Sequence, residues 1–122
     1  MSTRIVLIAH GSREADANQM LHDLAKELAE KTGYPVEPAF LELTPPTVDD
    51  AAQRCVEQGA STVVIAPYFL APGVHVRRDL ESARQRLGER FPGVEFRLAS
   101  PLGPHDLLLT ILGERIASCL QD

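Results

Sequence analysis

Two short runs constrain the fold most. Ile5-Val6-Leu7-Ile8-Ala9 and Thr62-Val63-Val64-Ile65-Ala66 are continuously apolar and rich in β-branched residues. Runs of this kind suit strands covered on both faces, as in a parallel sheet flanked by helices. Two further strand-like runs differ. Val36 to Leu43 contains Pro38, which cannot donate to a ladder and belongs at an edge. Val94 to Leu98 alternates apolar and polar residues, as a half-exposed edge strand does.

Helix-like runs lie between and after these strands, with apolar residues three and four apart. The first carries Ala17, Met20, Leu21, Leu24 and Leu28 and stops near Gly33. The second carries Val48, Ala51, Ala52, Cys55 and Val56 and stops at Gly59; Thr47 and Asp50 at its start resemble a capping box. The third carries Val76, Leu80, Ala83 and Leu87 before Pro92-Gly93. The fourth opens near Pro104 and carries Leu108, Ile111, Leu112, Ile116 and Leu120. Strict β-α alternation predicts an α/β fold: a small doubly wound parallel sheet of order 2-1-3-4, helices on both faces, one domain over residues 1–122. The fourth helix is apolar on more than one stripe, which signals deep burial or a subunit contact.

The 122 residues carry a net charge of −5, with no basic run, so a role on nucleic acid is not expected. No apolar stretch reaches the ~18 residues of a membrane span, and the start at Met1 shows no signal region. Cys55 and Cys119 lie far apart at apolar helix positions and read as buried free thiols. The expected location is the cytoplasm.

In an open parallel sheet, ligands bind beyond the carboxyl ends of the strands. Those ends carry His10-Gly11-Ser12-Arg13, Glu42, the stretch Pro67 to His75, and Ser100 to His105. A lone histidine after a strand is most often a satisfied structural group. Here His10, Glu42 and His75 converge on strands predicted to be neighbours. Two imidazoles and a carboxylate suit divalent iron, cobalt, nickel or zinc, and three ligands leave coordination positions open. The same histidines suit proton transfer near neutral pH. His22 reads as a surface residue and His105 as part of a helix start. The apolar loop Phe69 to Val74 suits a flat, greasy ligand, and Arg13, Arg77 and Arg78 suit carboxylates.

Leu7-Ile8-Ala9-His10-Gly11-Ser12-Arg13, Phe40-Leu41-Glu42, Pro67 to His75 with Asp79, and Pro101-Leu102-Gly103-Pro104-His105 together resemble the sirohydrochlorin chelatase family. The resemblance spans nearly the whole chain. It implies ATP-independent insertion of Co²⁺, Ni²⁺ or Fe²⁺ into sirohydrochlorin or a close tetrapyrrole, on the way to cobalamin, siroheme or nickel tetrapyrroles. It implies His10 and His75 as catalytic residues and His10, Glu42 and His75 as metal ligands. Ser12, Arg13, Phe69, Leu70, Gly73, Val74 and Arg77 would contact the substrate. Longer relatives carry two such modules, so this short form is expected to pair as a homodimer. No tightly bound cofactor is expected, since the chain ends at Asp122 without a histidine-rich tail or a cluster motif. The rival readings are a non-catalytic metal or tetrapyrrole carrier, and phosphoryl transfer through His10. The second is weakened by Ala9, where such sites carry arginine.

Overall fold

The computed structural model describes residues 2–121; Met1 and Asp122, on which the expectations about the chain's start and end fall, lie outside the described residues. Four strands and four helices alternate: β1 (Thr3–Ala9), α1 (Ala15–Thr32), β2 (Val36–Phe40), α2 (Val48–Glu57), β3 (Thr62–Pro67), α3 (Val74–Arg90), β4 (Glu95–Leu98) and α4 (Asp106–Cys119). The sheet is wholly parallel with order β2-β1-β3-β4. The two continuously apolar runs are the central strands, and Pro38 sits on edge strand β2 opposite Leu7.

Alternation along the strands sorts the core into two layers. Val6, Ile8, Val63 and Ile65 face α2 and α3, packing with Ala51, Cys55, Leu80 and Leu87. Leu7 and Phe40 face α1, packing with Leu21 and Ala25. Burial pushes the Cys55 thiol up to about 11, with the nearby Glu37 carboxylate adding to the shift.

Three expectations change. Of the expected α1 stripe, Leu21, Leu24 and Leu28 pack inward together with Ala25, while Ala17 and Met20 are exposed. His22 is half-buried, its ring tilted against Phe40 at 5.8 Å. Cys119 is exposed, because no residue of α4 is buried at all. Leu107, Leu109, Leu112 and Ile116 of that helix, and Leu120 just after it, face solvent.

The candidate active site

All four strands point the same way, so their carboxyl ends share one edge. The β1 and β2 ladder continues past the strands there: Leu41 N–H donates to Ala9 carbonyl and Glu42 N–H to His10 carbonyl, at 2.9 and 3.1 Å. This register sets the two side chains next to one another. His10 Nε2 lies 2.8 Å from Glu42 Oε1, with both side chains more than half exposed. A carboxylate only accepts, so in this contact His10 Nε2 is the donor, and Nδ1 is not part of it.

Gly11 makes this approach possible. Its φ is +100°, and a Cβ there would run into the carbonyl oxygen of Glu42. Leu43, just after Glu42, also sits in the left-handed region at φ +72°, which is costly for a branched side chain. Strain thus flanks the carboxylate on its chain side.

The neighbouring loops are tied down separately. The Ser12 hydroxyl accepts from Glu14 N–H, while Asn18 clamps the Ser12 backbone at 2.7 and 3.0 Å. The hydroxyl proton of Ser12 and one lone pair are left for a ligand. Phe69 is half-buried and meets the His10 ring edge-on at 6.4 Å, so it braces the imidazole. Leu70 and Val74 are exposed beside it. Leu102 and Gly103 donate backbone N–H groups to the carbonyls of Phe69 and Leu70, which fixes this apolar loop. Gly103 is required at that contact, since a Cβ would strike the Leu70 carbonyl. His105 caps α4, its side chain accepting from Leu107 N–H. Arg13, Arg77 and Arg78 are exposed.

His75 lies in the first turn of α3 and is exposed, beyond the 68–73 loop. Among the described residues, no three His, Cys, Asp or Glu side chains stand close enough together to hold a metal ion. The structure therefore joins two of the three donors, His10 and Glu42, and leaves His75 apart from them.

A cleft of about 340 Å³ opens beside the His10–Glu42 pair, floored by Ile8, Leu41, Val76 and Leu80 and walled by Asp79, Ser82 and Arg86 of α3. Arg86 is held by Asp49 at 2.6 Å. Sequence reasoning passed over Asn18, Ser82 and Arg86. The α3 wall was readable as the positions four, seven and eleven residues after His75.

Known proteins resemble this chain in sequence and fold. The chain is 45% identical over 117 residues to "Sirohydrochlorin ferrochelatase, chloroplastic" of Arabidopsis thaliana, covering 95% of this chain and 52% of that protein. It is 32% identical to "Sirohydrochlorin cobaltochelatase" of Sulfolobus acidocaldarius, covering 95% of this chain and 91% of that protein. Among solved structures, the sirohydrochlorin chelatase SirB from Bacillus subtilis subspecies spizizenii in complex with cobalt superposes with a TM-score of 0.89 at 26% identity, covering 97% of this chain and 51% of that one. The chain thus spans about half of the Arabidopsis and Bacillus proteins and nearly all of the Sulfolobus one. Residues 4–119 match the CbiX family, and the chain belongs to it.

Proposed function

We propose that this chain is a single chelatase module, residues 1–122, that inserts a divalent metal into sirohydrochlorin or a close tetrapyrrole without ATP. The observation that carries the reading is the His10–Glu42 contact of 2.8 Å at the carboxyl edge of a parallel sheet, beside an open cleft and an exposed apolar loop. The ferrochelatase and cobaltochelatase names of its relatives support sirohydrochlorin as substrate and Fe²⁺ or Co²⁺ as the metal, with Ni²⁺ a third candidate by ligand chemistry.

One dication replaces two pyrrole protons, so charge balances only if two protons leave the ring. His10, with Nδ1 free, accepts one. His75 accepts the second and serves as a further ligand when the loop carries it inward. Glu42 is a ligand or proton relay. A metal held by both His10 Nε2 and Glu42 displaces the proton now shared between them, so loading favours higher pH. Leu70, Gly73 and Val74 cover the ring face, with Phe69 behind His10. Arg13, Arg77 and the Ser12 hydroxyl meet ring carboxylates. Two copies pair as a homodimer that works in the cytoplasm, with metal and tetrapyrrole as substrates and no resident cofactor.

The test is anaerobic absorbance of sirohydrochlorin mixed with Co²⁺, Ni²⁺ or Fe²⁺ and wild type, His10→Ala, His75→Ala or no protein. Wild type should accelerate insertion, and His10→Ala should lose at least ~100-fold, the usual loss for a general base. Folded protein that binds the ring without accelerating insertion of any of these metals would overturn the enzymatic reading in favour of a carrier.

A further inference from the structure

The wall of the cleft belongs to one stripe of α3. Asp79, Ser82 and Arg86 all line it with His10 and Glu42. Steps of three and four residues keep side chains on one helix face. His75 is four residues before Asp79 and continues that stripe to the carboxyl edge of the sheet. The face that carries His75 is therefore the face turned toward the His10–Glu42 pair, although His75 itself stands apart from them.

The charges of the cleft are unequally matched. Glu42 is engaged by His10, and Arg86 by Asp49. Among the described residues, Asp79 makes no side-chain hydrogen bond or ion pair, and neither does His75. An imidazole that presents one nitrogen to a metal or a proton needs its other nitrogen held, and a carboxylate is the usual holder. His10 has such a carboxylate beside it in Glu42. Asp79, about 5–6 Å from His75 between Cβ atoms at this spacing, is the carboxylate within reach of the second histidine.

We propose that Asp79 is a positioning residue for His75. Its carboxylate accepts a hydrogen bond from one ring N–H of His75, fixes the tautomer, and turns the other nitrogen toward His10 and Glu42 across the cleft. The inference rests on the proposed role of His75, and the first of its two tests is independent of turnover.

That test is two-bond ¹H–¹⁵N NMR of the histidine rings in metal-free, full-length protein at neutral pH. Wild type, Asp79→Asn and Asp79→Ala are compared; the position is exposed, so the variants should fold. Wild type should show one dominant His75 tautomer, Asp79→Ala a mixture, and the His10 signals should stay put. In steady-state insertion, Asp79→Ala should raise the KM for Co²⁺ about 10–100-fold, the usual cost of losing such a partner, with the KM for tetrapyrrole unchanged. Asp79→Glu should recover part of the loss. An unchanged His75 tautomer ratio in Asp79→Ala overturns the proposal, as does an unchanged KM for Co²⁺ in an active enzyme. If wild type inserts no metal, the functional reading fails and the tautomer ratio alone decides the role of Asp79.

Discussion

Gly11 shows how much a single position decides. The sequence places His10 and Glu42 at the ends of neighbouring strands, and the parallel register brings them level. Contact between them needs one thing more: the backbone after His10 must pass against the carbonyl of Glu42 at φ +100°. Any Cβ would push the β1 and β2 ends apart. Gly11→Ala is therefore expected to cost about 1–3 kcal/mol, the scale of a strained backbone position. Its effect on function should be larger, because a displacement of about 1 Å at reacting groups can cost about 100-fold. Urea melts and metal-insertion rates measured side by side check this; a variant that loses stability and retains full rate would sink the link between Gly11 and the pair. The His10–Glu42 pair was legible because strand ends can be read from apolar runs. Phe69 as a brace was not legible, because an apolar loop residue looks the same whether it meets a ligand or a neighbouring ring. Nor was the distance of His75, which depends on how far the 68–73 loop carries the chain before α3 begins.

Among the elements, α2 connects local sequence to the cleft most directly. Thr47 accepts from Asp50 N–H and Asp50 accepts from Thr47 N–H, so the capping box expected from the sequence forms in full. The box sets the first turn of α2, where Val48 lines the cleft and Asp49 holds Arg86. Thr47→Ala should destabilise the protein by about 1 kcal/mol, read from the urea midpoint. The contribution of Asp50 to the box should depend on pH with a definite sign. Hydrogen bonds from Thr47 hold the Asp50 carboxyl below its ordinary value of 3.8. A group lowered by folding stabilises above its unfolded value and loses that contribution as pH falls through the folded one. The backbone N–H that Asp50 accepts from survives in Thr47→Ala, so the pH test is Asp50→Ala: its gap to wild type should be widest at neutral pH and narrow below about pH 4; a gap that stays constant down to pH 2 would exclude the carboxylate half of the box. Caps and buried strands were readable because their causes are local or strongly periodic. The phase of α1 was not, since Met20 and Leu21 are both apolar and only packing on Phe40 selects Leu21.

At the scale of the molecule, the chain exposes 8115 Å². A folded monomer of its mass, 13.3 kDa, would expose roughly 6,500 Å². The excess, about 1,600 Å², exceeds the ~800 Å² that each partner contributes to a standard interface. Exposed apolar side chains are densest on α4, where Leu112 is 57% and Ile116 60% exposed, one turn apart, and where none of the described residues is buried. The sequence signalled this surface through its several apolar stripes, and could not say whether the chain's own sheet or another surface covers it. Arabidopsis and Bacillus relatives about twice this length carry further chain that can do so, whereas the Sulfolobus relative is of similar length and lacks it. In the proposed homodimer a second copy would cover this surface. Sedimentation at micromolar concentration should give the mass of two chains, and the melting temperature should rise with protein concentration, as it must when association favours the folded state. Leu112→Glu with Ile116→Glu should yield a monomer with unchanged helix and strand content, because neither side chain packs in the core of its own chain. A single-chain mass for wild type, with melting independent of concentration, would mean that α4 is exposed for another reason and that one module works alone.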